Sequence, residues 1–302
     1  MWLGYALLTT LAWGGADFFY KKGSDPNDSY SHLKIVIMVG LVMGIHAMLY
    51  MNMNDITFNP MDLLTYLPVS ALYILSMAIG YVGLRYLELS IASPIQNSSG
   101  VVTAILLLIF FNHQLGFLEL LGITIITLGV IGIAIVEKQQ EKEYYRANAI
   151  IVDKKYQISF MAIIFPILYC LLDGLGTFAD AIYLDEWNLI SEDAALVAYE
   201  MTFFICAIVC YLYLKLKKKE PFHIFKEKDK GCAAILETTG QFFYVFAMSQ
   251  NAIIAAPLIA SYSIVSILLS RLFLKEKLSK KLYILIAFVI FGIALLGLAD
   301  EL

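Results

Sequence analysis

The chain has 302 residues, of which 60% are hydrophobic and 15% charged, with a formal net charge of −4 and a mean hydropathy of +0.77. A soluble domain carries about 25% charged residues. Here the apolar residues come in long runs between short polar breaks, which excludes a soluble globular domain and predicts an integral membrane protein. The small net charge says little by itself, and nothing in the composition calls for nucleic acid.

Taken in order, the runs predict ten membrane spans, at about 2–20, 33–51, 63–87, 93–111, 116–136, 158–184, 193–214, 231–250, 254–274 and 282–299. Each is read as a helix, because only helices and closed barrels satisfy their backbone groups in lipid. The runs are too long and too evenly apolar for barrel strands. The first, WLGYALLTTLAWGGADFFY, has no basic segment before it and no small-residue cleavage site, so it is read as a retained helix. The cysteines, Cys170, Cys206, Cys210 and Cys232, lie in apolar stretches or at their ends. They form neither a disulfide framework nor a zinc pattern, and are read as buried free thiols.

The polar segment EKQQEKEYYRANAIIVDKKYQ, 137–157, splits the spans into five and five. Residues 93–115 align without gaps on 256–278, pairing Pro94 with Pro257, Ser98 with Ser261, Val102 with Val265 and Phe110 with Phe273. Further on, Gly129 pairs with Gly292. The expected organisation is a first repeat over 1–137, a linker over 138–157 and a second repeat over 158–302. Five is odd, so a structural copy must enter the membrane inverted. All 21 Lys and Arg lie in or beside the odd-numbered connections, and the even ones have none. Basic connections stay in the cytoplasm. That places the linker inside and both termini outside, in what is read as a bacterial plasma membrane.

The segments LAWGGADFF in the first span, SP and AP opening the fourth and ninth, and RLFLKEKLSKKLYILIAFVIFGIALL at the end resemble the drug/metabolite transporter superfamily in its ten-helix form with two EamA-type repeats. The resemblance covers essentially the whole chain. It implies an all-α membrane fold, a substrate cavity between the repeats, and last helices of each repeat that hold the halves together. There are departures. His113 stands in the first repeat where the second has Glu276, and familiar ten-helix relatives commonly keep both termini inside.

Catalytic signatures such as G-x-S-x-G, H-E-x-x-H or a Walker loop are missing from the sequence, so neither an enzyme nor a bound cofactor or metal is expected. Of the four histidines only His46 falls inside a span, where a satisfied or snorkelling side chain is the ordinary reading. Acids inside spans are a stronger signal. A charge at a helix centre costs about 2.5–3.5 kcal/mol, while each Leu, Ile, Phe or Val returns only about 0.3–0.6. The sixth span nevertheless carries Asp173 and Asp180. Such acids usually face a polar cavity.

Asp173, Thr177 and Asp180 stand at i, i+4 and i+7, on one helix face, and Tyr169 extends that stripe. Gly174 and Gly176 are read as loosening this helix or admitting a ligand, and Gly14 and Gly15, before Asp17, as a matching break in the first span. The seventh span adds Tyr199 and Glu200, and the eighth Glu237, Gln241 and Tyr244. Trp13, Tyr81, Asn97 and Tyr262 complete the expected substrate-binding set. Asp173, Glu200 and Glu237 are the expected proton-coupling residues.

Lys and Arg lie in or beside the connections, so the mid-membrane acids have no evident basic partner, while Asp17, four residues before Lys21, can also be read as half of a simple helix pair. A carboxylate out of water can be held neutral, carry an exchangeable proton, or pair with a cationic ligand. The expectation is therefore a proton-coupled secondary transporter with alternating access, moving a small organic metabolite that is cationic or zwitterionic. The alternatives are an exporter of amphipathic drugs or amino acids without strict coupling, or a membrane-embedded sensor or lipid-modifying enzyme. The lipid bilayer is an obligate partner, and the chain is expected as a monomer or homodimer.

Overall fold

A computed structural model describes residues 1–23, 28–83, 99–111, 115–147, 164–273 and 279–301. The described residues are overwhelmingly helical. In chain order the helices are α1 (Trp2–Gly23), α2 (Ser31–Met53), α3 (Pro60–Thr65), α4 (Leu67–Gly83), α5 (Ser99–Phe110), α6 (Phe117–Ala147), α7 (Ile164–Ala181), α8 (Glu192–Leu212), α9 (Lys228–Ile259), α10 (Ser263–Phe273) and α11 (Lys280–Glu301). A turn of π-helix extends α7 over Ile182–Glu186, another extends α8 over Tyr213–Lys218, and a 3-10 turn, Ala260–Tyr262, joins α9 to α10. Large apolar side chains such as Leu11, Ile45, Ile109, Leu128, Ile284 and Phe291 are exposed on the outside of the bundle. In water such a surface would be an aggregation hazard; in a bilayer it faces solvent of its own kind.

Several boundaries differ from the sequence reading. The third span is two helices, because Leu67 precedes Pro68, which has no N–H to continue a helix and restricts the residue before it. The Asn59 side chain accepts from the Met61 N–H at 3.1 Å and caps the short first piece. The fifth span runs on as α6 to Ala147, so the expected linker begins as helix. The eighth and ninth spans form one merged helix with a kink at Asn251 (φ −166°, ψ 76°). There the Asp185 carboxylate accepts from the Ala252 N–H at 2.9 Å and caps the ninth span. The breaks expected at Gly14 and Gly174 do not occur, and α1 and α7 are regular through both.

These glycines serve helix packing instead, and they do so in repeat-related pairs. A Cβ on Gly14 would overlap Val265 and the Tyr262 carbonyl; a Cβ on Gly174 would overlap Val102 and crowd the Ser99 carbonyl. Val102 aligns with Val265 and Ser99 with Tyr262 under the repeat register. Similarly, Gly129 is closed off by Val289 and Gly292 by Ile126, and the same register pairs these contacts. The helix neighbours obey the exchange as well. α1 packs on α9 as α7 packs on α4; α1 packs on α10 as α7 packs on α5; α2 with α8 and α6 with α11 map onto themselves. This is the contact pattern of two inverted five-helix repeats.

Small residues at these crossings let backbones approach and gain van der Waals contact that lipid cannot supply. Gly129→Ala is expected to cost about 1–3 kcal/mol through overpacking. Gly4, whose Cβ would meet nothing within 4 Å, is the control: Gly4→Ala is expected to be neutral or to gain up to about 1 kcal/mol. Thermal melts of the purified variants in detergent compare the two, and equal losses would contradict the packing assignment.

Candidate functional site

The four helices that exchange under the repeat, α1, α4, α7 and α9, enclose a cavity of about 170 Å³. α1 contributes Trp13, Asp17 and Tyr20; α4 contributes Tyr73 and Met77; α7 contributes Tyr169, Asp173 and Thr177; α9 contributes Glu237, Gln241 and Tyr244. Ser99 of α5, Tyr199 of α8 and Tyr262 of the 3-10 turn complete the wall. Three carboxylates thus share one cavity, and no Lys, Arg or His is among the described residues that line it.

Each side chain is held by its own local structure. The Trp13 indole N–H donates to the Glu237 carbonyl at 3.3 Å, tying α1 to α9. Its ring stacks on Tyr244 with centroids 5.0 Å apart and meets Tyr262 edge-on at 6.3 Å. Gly240 leaves the space that the Trp13 ring fills. Asp173 accepts from the Ser76 hydroxyl at 3.3 Å. One turn on, the Thr177 hydroxyl donates to the Asp173 carbonyl at 3.0 Å and accepts from the Tyr73 hydroxyl at 3.1 Å.

The two ends of the cavity differ. Around Tyr244, Thr177 and Tyr199 the lining is buried; at Asp17, Tyr20, Met77 and Tyr169 it is half-exposed. The mouth therefore lies toward the first and seventh connections. Those connections meet through Lys22–Asp229 at 2.9 Å, and Lys34 bridges Asp28 at 2.7 Å and Glu220 at 3.7 Å.

The opposite end is plugged. The Tyr66 hydroxyl donates to Asp180, and the Tyr73 and Tyr244 hydroxyls meet at 2.5 Å. Farther out, the Tyr50 hydroxyl donates to Asp193 at 2.6 Å, and His46 Nδ1 lies 2.8 Å from both Glu200 carboxylate oxygens.

Trp13, Asp17, Tyr169, Asp173, Thr177, Tyr199, Glu237, Gln241, Tyr244 and Tyr262, all singled out from sequence, thus come together around one space. Two do not. Asp180 is fully buried inside the plug, because seven residues of helix carry it about 10 Å along the axis from Asp173. Glu200 is fully buried between α2 and α8, facing His46 and not the cavity. Asn97 lies outside the described residues. Tyr81 lies in α4, but its side chain is outside them.

The sequence reading missed Tyr66, Tyr73, Ser76 and Met77, although they lie on a recurring face of the third span. It also missed Tyr20, Ser99 and the pairing of His46 with Glu200. Among the described residues no three His, Cys, Asp or Glu side chains are grouped so as to hold a metal ion.

Among solved structures, a crystal structure described only as that of a protein aligns with 99% of this chain and 97% of its own, with a TM-score of 0.72 and 11% sequence identity. At that identity the likeness is one of fold. No curated protein matches the sequence. The family of EamA-like transporters matches residues 1–135 and again residues 160–298, one match to each half of the bundle. The chain therefore belongs to the EamA-like transporter family, as an integral membrane protein of ten helices in two inverted repeats.

Proposed function

We propose that this chain is a secondary transporter of a small organic cation or zwitterion, coupled to protons through Asp173 with Glu237 beside it. The observation that carries the reading is a cavity with three carboxylates, aromatic walls and no basic lining side chain among the described residues. An anionic metabolite would meet only like charge there. An ammonium group gains both charge pairing and cation–π attraction from Trp13, Tyr244 and Tyr262. Proton and substrate then compete for, or share, the same carboxylates.

With the basic connections in the cytoplasm, both termini are outside and the cavity opens inward. Alternating access follows if the α1–α9 pair rocks against the α4–α7 pair, closing the mouth at Asp17 and parting the tyrosine plug. The exchange of repeats 1–137 and 158–302 supplies the opposite state, in the plasma membrane of a bacterium. The repeat-related glycine contacts support that exchange.

A thermal-shift screen of metabolites on the purified protein tests the substrate class. Amines are expected to stabilise it at neutral pH, and less at acid pH, where protons occupy the carboxylates. Stabilisation by organic anions alone would contradict the reading.

A further inference from the structure

Asp180 has an environment unlike that of the cavity acids. It is fully buried. Its Oδ1 accepts from the Tyr66 hydroxyl, while Oδ2 is buried without a hydrogen-bond partner. The titratable groups around it are Tyr66 and Tyr73 from the third span and Tyr244 from α9, with Tyr199 of α8 against the Tyr73 ring at 5.9 Å. Asp173 lies two turns away on its own helix. Among the described residues no cation is paired with Asp180. Leaving a lone carboxylate oxygen out of water costs free energy that packing alone does not require. A protonated carboxyl relieves that cost.

A route for the proton is already laid. Thr177 lines the cavity, the Tyr73 hydroxyl donates to it at 3.1 Å, Tyr244 meets Tyr73 at 2.5 Å, and Tyr244 is a near neighbour of Asp180, whose Oδ2 is unpartnered. We propose that Asp180 is a proton-binding site within the plug, loaded from the cavity through the hydroxyl chain Thr177–Tyr73–Tyr244. In each transfer a hydroxyl gives up one O–H proton to its neighbour and takes one from the neighbour before it. Before that, each hydroxyl turns toward Asp180: Thr177 from the Asp173 carbonyl to Tyr73, Tyr73 from Thr177 to Tyr244, and Tyr244 to the unpartnered carboxylate oxygen. Cavity water supplies the proton, Asp180 keeps it, and the three hydroxyls end neutral.

When the plug parts, the same carboxylate opens to the other side of the membrane, so Asp180 meets the two baths in turn. What the proton does rests on the transport reading; where it binds rests on the side-chain geometry.

Infrared difference spectra of the full chain in liposomes, recorded across a pH step, test the assignment without any substrate. A carbonyl band from a water-shielded carboxylic acid is expected in the wild type and is expected to be missing in Asp180→Asn. Tyr73→Phe keeps the ring but breaks the relay. It is expected to keep the band and slow its response by about tenfold or more, equivalent to about 1.4 kcal/mol on the barrier. An unchanged band in Asp180→Asn, or a Tyr73→Phe response as fast as wild type, overturns the proposal. A wild-type protein that shows these spectra but never moves an amine would instead overturn the transport reading and leave the proton site standing.

Discussion

His46→Ala is expected to destabilise the protein by about 3 kcal/mol, the low end of the usual cost of breaking a buried pair. Glu200 is 0% exposed, and His46, whose side chain is 33% exposed, meets both of its carboxylate oxygens at 2.8 Å. Phe242 closes one side of the imidazole edge-on at 5.9 Å, and Tyr50 stacks on another at the same distance. Removing the imidazole leaves the Glu200 carboxylate buried without this donor. Partial exposure of His46 lets some water in, which is why the low end applies. The cost belongs to the orphaned acid, so adding Glu200→Gln to His46→Ala is expected to recover much of it. A double-mutant cycle on thermal stability measures this, with a coupling of about 1–3 kcal/mol expected for residues in contact. Additive losses would show that the pair holds α2 and α8 no better than its separate side chains.

Asp173→Asn is expected to weaken amine binding by about tenfold to a hundredfold, since a hydrogen bond to a charged group is worth about 1.5–3 kcal/mol. Asparagine keeps the shape and can still accept from Ser76, which contacts Oδ1 at 3.3 Å, so the fold should survive. What disappears is the negative charge and the group that exchanges a proton. The variant is therefore expected to lose the pH dependence of binding as well as affinity, measured by titrating an amine at two pH values. Weakened binding with the pH dependence intact would move the coupling role to Glu237 or Asp17.

Much of this architecture was legible in the sequence. Long apolar runs fix spans through the backbone's need for internal hydrogen bonds, and the register that pairs Val102 with Val265 also pairs their contacts with Gly174 and Gly14. The cavity acids were visible because a charge in a span is costly enough to need a reason.

Depth along the helix was harder to read. Asp173 and Asp180 share a face, yet two turns separate a cavity wall from a plug. Glycines in spans signal close approach without saying to what, and Gly14 and Gly174 approach helices where a ligand was expected. Tyr66 and Tyr73 pack like any aromatic residue, so their hydroxyl partners on α7 and α9 decide their role. His46 looked solitary because its partner comes from a helix 154 residues away.

A cavity that carries a small organic cation or zwitterion across the membrane must exchange it between the two sides. Counterflow tests it most directly, using proteoliposomes loaded with the amine that most stabilises the protein and diluted into a trace of the same amine bearing a label. Transient accumulation of label is expected, dependent on the protein and strongly reduced in Asp173→Asn. No accumulation by a folded protein that binds the amine would contradict it.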